Sequence, residues 1–377
     1  MFLAIRELVF ARGRFALMGS VVALIAILMV LLSGLSVGLV NDGVSGLKKV
    51  PVTSFAFQQD VAKDSAFSRS VVSSEAVEAW ADRPGVEDAA PFGNTLVNAR
   101  ADNGTEVDLA LFGVETDSFL APSPATGAPL GDEADGIVIS ETAADEGIAL
   151  GDVVRIEPTG TALRVVGILD GQHTYGHVDV AYVPLTTWQE VRAGVRTGDP
   201  VPAHVHDEFT AVAVRAADGD DVDLAAGDEA ASTTSMTLEE SFGASPGYTA
   251  ETSTLQLIQV FLYAISALVV GAFFTVLVIQ RRQEIAVMRA MGASTGYLLR
   301  DSLLQSLILL IVSAGVGVGI GLAGGAALAS TPMPFALEAG PIAAATALLI
   351  ALGVVGAAVA VVRVTRVDPL TALGGNR

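Results

Sequence analysis

QRRQEIAVMRAMGASTGYLLR, residues 280–300, is wedged between two apolar runs, 255–279 and 303–329. A bilayer-crossing helix needs about 20 apolar residues, and both runs reach that length. Residues 280–302 therefore read as a short turn between two membrane spans. Within the turn, Ile285, Met288 and Met291 recur at helical spacing while Arg281, Arg282, Glu284 and Arg289 supply charge, which predicts a short amphipathic helix. Gly292 stands where such a helix would stop. A helix of two or three turns is marginal alone in water, so a partner protein or lipid headgroups must cover its apolar stripe.

Outward from this turn, residues 15–40 and 341–362 are further long apolar runs. Arg6, Arg12 and Arg14 precede the first run, Arg281 and Arg282 follow the second, and Arg363 and Arg366 follow the fourth. The positive-inside rule then places both termini in the cytoplasm. Residues 1–14 read as an interfacial helix on the inner leaflet, with a plain positive flank as the alternative, and residues 363–377 form a cytoplasmic tail. The fold class expected is an α-helical membrane protein with four transmembrane helices and an α+β extracytoplasmic domain inserted between helices 1 and 2.

Composition narrows the function. Of 377 residues 51% are hydrophobic and none is cysteine, which removes disulfides, thiolate catalysis and thiolate metal sites. Residues 42–251 hold 36 of the 41 acidic side chains but only 11 of the 21 Lys and Arg. So acidic a block argues against nucleic acid as a partner. The inserted region, 41–254, mixes periods: an amphipathic helix over 73–82 with Ser73 or Ser74 as cap, then strands over 106–114, 136–140, 153–157, 162–169 and 178–184, with a helix capped by Ser140 between two of them. Residues 204–234, rich in Asp, Gly and Ala, show less pattern and read as loops.

The pattern EIAVMRAMGAS, residues 284–294, resembles the coupling segment of the FtsX/MacB-like permeases of ABC transporters. Residues 137–156, IVISETAADEGIALGDVVRI, with the following LRVVGIL and AYVPLTTW, resemble the exterior domain of the same family, and VDPLTAL at 367–373 resembles its ending. The resemblance implies that Glu284, Ile285, Met288, Arg289, Met291 and Gly292 couple the chain to a separate ATPase subunit. No G-x-x-x-x-G-K-[ST] motif occurs, so Mg-ATP is expected on that partner and the chain itself is not expected to be an enzyme. A positively charged membrane flank is the alternative reading of the segment.

The start of the chain, RFALM and LLSGLSVGL at 31–39, is similar to the haem-exporting subset of the family, the HrtB type, which implies two ATPase copies, a homodimer and haem as transported substrate. An iron in the membrane wants an axial ligand, and without Cys or intramembrane His the candidates are Met29 and Tyr263, with Met29 as the metal ligand proper. Packing is the alternative role for that methionine. Lys48 and Lys49 are placed to meet haem propionates or lipid phosphates, or to anchor by snorkelling. Gly34 and Gly38, and Gly317 and Gly321, are small residues four apart that let helices approach closely; the first pair could do so within one chain or at a dimer axis. All four histidines lie in the inserted region: His204 and His206 would share one face of a strand, and His173 is four residues from His177, so a metal or haem site is conceivable beside plain surface histidines. Alternative functions are export of lipid, peptide or lipoprotein, and FtsX-like signalling to a cell-wall hydrolase.

Overall fold

Long uninterrupted apolar sequence makes long helices: Arg12–Lys48, Tyr248–Gln280, Thr295–Ala329 and Ala339–Thr365. The computed structural model describes residues 12–219, 222–280, 287, 291–292, 294–331 and 333–365. Four helices among them are long and apolar enough to cross a membrane, with mean hydropathy between 2.3 and 2.9. The third begins eight residues before the apolar run, because Ser294 caps it by accepting the Tyr297 N–H at 3.2 Å and residues 295–302 continue the same helix. The chain divides into two units, residues 1–39 with 252–377 and residues 40–251.

In the helical unit, packing depends on absent side chains. A Cβ on Gly317 would collide with the Ala23 carbonyl oxygen, and one on Gly321 would lie 2.9 Å from the Val30 side chain, so the third helix approaches the first closely at both glycines. Gly34 and Gly38 do something other than helix-to-helix packing. The connection between the third and fourth helices folds onto them: a Gly34 Cβ would collide with the Phe335 ring and a Gly38 Cβ with the Pro334 carbonyl, while the Ala336 N–H donates to the Gly34 carbonyl at 3.1 Å. Both notches are therefore occupied by the connection within the same chain.

The α/β unit is built on one mixed sheet. Its strands are β1 (Ser54–Gln58), β2 (Val86–Ala101), β3 (Glu106–Val114), β4 (Thr126–Gly127), β5 (Gly136–Ile139), β6 (Val153–Glu157), β7 (Ala162–Ile168), β8 (Thr174–Tyr175), β9 (Val178–Pro184), β10 (Ala211–Ala216) and β11 (Thr233–Thr237), in the order β11-β1-β10-β2-β3-β9-β5-β7-β4. β6 pairs with β2 and β7, and β8 pairs with β9. Both faces are covered, so alternate residues of one strand enter different cores: Leu109 and Leu111 join the one around Trp80 and Trp188, while Ala110 and Phe112 join an aromatic core with Phe55, Phe57, Phe67 and Phe92.

The region 204–234, expected to form loops, holds regular elements among its described residues. It supplies β10, which lies between β1 and β2 in the middle of the sheet, and the helix Leu224–Ala231. A strand buried on both faces carries no alternation to read. Ser140 caps its helix as expected, accepting the Ala143 N–H at 3.1 Å, but Ser73 makes no side-chain cap bond to its own.

Candidate functional site

Spacing along each helix assembles the site. Met29, Ser33 and Ser36 fall on one face of the first helix, and Gln259 and Tyr263, four apart, on one face of the second. With Pro341, Ala344, Ala345 and Leu348 of the fourth helix they line a cavity of about 370 Å³ inside the helical unit. This volume lies within the range of ligand pockets, roughly 300–1,000 Å³. Met29 is buried, packed with Ile25, Ala26, Ala314 and Leu349, and Tyr263 packs against the same cluster. The two side chains singled out as iron ligands therefore share one cavity. Ser33, Ser36 and Gln259 do not stand out in the sequence, where isolated polar residues in an apolar run carry no pattern.

Lys48 and Lys49 sit at the end of the first helix, in the α/β unit. Lys48 Nζ donates to Asn41 Oδ1 at 2.8 Å, and Lys49 Nζ donates to the Asp170 carbonyl at 3.2 Å and lies 3.5 Å from His173 Nδ1. Of the coupling residues, Glu284, Ile285, Met288 and Arg289 lie outside the described residues. Met291 is exposed, its N–H donates to the Val287 carbonyl at 3.0 Å, and Gly292 follows in the left-handed region at φ 97°, a conformation that ends a helix turn.

The histidines do not form the pairs their spacing suggested. Ala203–Asp207 is a 3₁₀ turn, in which residues two apart point in different directions, so His204 and His206 share no strand face. His173 and His177 stand at either side of β8, and a hairpin does not bring residues four apart together as a helix does. Burial pushes the His173 pKa down. His177 has the opposite outcome: burial lowers its pKa, but hydrogen bonding to Asp42 and the charges of Glu251 and Asp42 outweigh it and hold the pKa raised. Its Nδ1 lies 2.7 Å from Asp42 Oδ2 and its Nε2 3.2 Å from Glu251 Oε1, so the ring bridges residues 42 and 251. Around it the hairpin grips the helix end: Thr174 Oγ1 donates to the Asn41 carbonyl at 3.1 Å, and the Gly176 N–H donates to the Gly43 carbonyl at 2.9 Å.

Residues 15–228 match the MacB-like periplasmic core domain, and residues 257–369 match the FtsX-like permease C-terminal family. The chain belongs to the FtsX/MacB-like permeases. It is similar to a Staphylococcus epidermidis protein that carries the name hemin transport system permease protein HrtB, at 24% identity over 100% of this chain and 99% of that protein. A Staphylococcus haemolyticus protein of the same name is 24% identical over 99% of each chain. Among solved structures, the extracellular domain of the noncanonic ABC-type transporter YknZ of Gram-positive bacteria aligns at 15% identity and a TM-score of 0.35, covering 49% of this chain and 98% of that one. The periplasmic region of MacB from Actinobacillus actinomycetemcomitans aligns at 14% and 0.36, covering 50% and 90%. As a permease of this family the chain is the membrane subunit of an ABC transporter, and its partner is an ATPase.

Proposed function

We propose that this permease exports haem, taking it from the membrane into the cavity between the first, second and fourth helices. The observation that carries the reading is the shared cavity of Met29 and Tyr263, the thioether and the phenol being side chains that can ligate haem iron. The hemin-transport names of the staphylococcal relatives support the same substrate. In this reading Met29 is the axial ligand, Tyr263 the second candidate, and Lys48 and Lys49 meet the anionic propionates at the aqueous boundary. Two copies of the chain work with two copies of the ATPase, which binds Mg-ATP. Closure of the ATPase pair pushes on residues 284–294, with Glu284 and Arg289 as its charged contacts and Ile285, Met288 and Met291 as its apolar ones. Both termini and this segment lie in the cytoplasm of the cell membrane, and the α/β domain lies outside.

The test is spectroscopic and enzymatic together. The purified permease–ATPase complex should show a Soret band on adding hemin and hemin-stimulated ATP hydrolysis, and Met29→Ala should shift or abolish the band. An unchanged band in that variant removes Met29 as ligand. ATPase activity indifferent to hemin but raised by lipid or peptide would assign the pump to a different cargo. Double substitution of Glu284 and Arg289 should abolish efflux with insertion intact.

A further inference from the structure

Hydroxyl groups in membrane helices ordinarily satisfy themselves by donating to the carbonyl one turn back. Three in the helical unit do so at 2.8 Å: Thr275 to Gly271, Ser306 to Ser302 and Thr346 to Ile342. Ser33 and Ser36 do not. Together with Gln259 and Tyr263 they line the cavity without a side-chain hydrogen bond to any described residue, although Ser33 is only 6% exposed. An unpaired polar group inside hydrocarbon costs free energy that a ligand group can recover. The cavity therefore presents hydrogen-bonding capacity left open on the first and second helices, opposite the small apolar residues of the fourth.

This capacity is uncharged. None of the twelve lining residues is Asp, Glu, Lys, Arg or His, and Tyr263 alone can titrate. A carboxylate entering here would lose its hydration and meet no cation, and desolvation of that kind favours the protonated acid. Serine hydroxyls and a glutamine amide suit the neutral acid well, since each offers both a donor and an acceptor to a group that has one of each. We propose that the cavity reads the carboxyl end of an acidic, membrane-dissolved ligand in its protonated form, with Ser33, Ser36 and Gln259 as the recognising side chains. The proton comes from the aqueous boundary as the ligand leaves it. This deepens the haem reading and rests on it: the propionate that enters the cavity does so as –COOH, and any propionate left ionised stays with cations outside it.

The experiment titrates the full permease–ATPase complex in lipid nanodiscs with two probes, hemin and hemin dimethyl ester, at pH 6 and pH 8, following the Soret band. Chemistry at the iron is common to both probes, so their difference isolates the carboxyls. The expected result is ester binding that stays constant with pH, and hemin binding that weakens by about tenfold per pH unit for each carboxyl taken up as the acid. Gln259→Lys, which adds a cation to the rim, should flatten the hemin pH dependence; should that variant fail to assemble, the two probes on the native complex still decide. Hemin bound equally at both pH values with the ester bound poorly overturns the inference and leaves the haem reading standing, because a cation must then be reading the carboxylate. Binding of neither probe overturns both.

Discussion

The sheet unit and the helical unit bury their atoms by different means. In the sheet unit large side chains fill the space: Phe55, Phe57, Phe67, Phe92, Phe112, Tyr175 and Tyr182 form a chain of ring contacts with centroids 5.0–6.2 Å apart, mostly edge to face. In the helical unit large side chains such as Leu17, Leu24, Phe261 and Leu268 face outward, the buried clusters between helices are smaller, as around Phe15, Met18, Phe274 and Leu310, and the first and third helices meet where glycine leaves room. Water drives aromatic surface together in the first case. Lipid tails are as apolar as leucine, so in the second case close approach and dispersion have to serve instead. Removing a ring is therefore the informative change in the sheet unit, and adding volume at the contact of the first and third helices the informative one in the helical unit.

Removal should have the larger effect. Phe112 is fully buried and touches Phe92, Tyr175 and Tyr182, so Phe112→Ala deletes a node of the ring network. The expected cost is about 3–5 kcal/mol, the usual range for emptying a phenylalanine site. Both tryptophans of the chain, Trp80 and Trp188, lie in the sheet unit, so intrinsic fluorescence follows its unfolding in the intact protein without reporting on the helices. A loss below about 1 kcal/mol would mean that the surrounding rings collapse into the gap, and the contrast between the units would weaken.

The helical unit supplies its own internal control. Gly317 has the Ala23 carbonyl where a Cβ would go, whereas Gly319, two residues on, faces open space. Gly317→Val should cost about 1–3 kcal/mol by overpacking, seen as a lower midpoint for loss of helical circular dichroism in detergent with the tryptophan transition unmoved. Gly319→Ala should be neutral or slightly stabilising, because alanine is the better helix former. Equal effects at both positions would show that the helix interface is not set by the missing Cβ.

The same contrast decides what was legible in the sequence. The four long helices are visible because lipid demands runs that nothing else demands, and the family resemblance at 284–294 and 137–156 rests on local residue order. β10 is invisible because AVAVRA, whose first four residues are fully buried, shows no alternation, so the turn signal at Asp218 and Gly219 has no strand pattern to bound. β2 hides for another reason: Pro91, Gly93 and Asn94 interrupt it as a turn would, yet Gly93 is there so that the Trp188 ring can lie against the sheet. At the site, Met29 and Tyr263 are legible as chemistry, whereas Ser33, Ser36 and Gln259 acquire meaning only from the cavity they line, the two serines also from lacking the backward bond that Thr275, Ser306 and Thr346 make. The bridge from Asp42 through His177 to Glu251 joins residues too far apart in the chain for any motif to announce.

That bridge gives the smallest expected effect and the finest test of the sheet unit's polar packing. The raised pKa of His177 means that the folded protein holds its proton more tightly than the unfolded chain does, for which about 6.5 is the reference. The contribution to stability is then fully present below pH 6.5 and is lost as the pH climbs through the folded value, because the folded state releases the proton that made both carboxylate contacts favourable. The tryptophan-detected unfolding midpoint should fall between pH 6 and pH 9 in the native chain. His177→Asn is the appropriate comparison, since residue 177 has φ 67° and asparagine accepts that left-handed conformation where alanine would strain. The variant should start lower at pH 6 and show a flatter profile, converging on the native chain at high pH. Parallel profiles would mean that the bonds from Thr174 and Gly176 to the Asn41 and Gly43 carbonyls hold the helix end alone, with the imidazole a bystander.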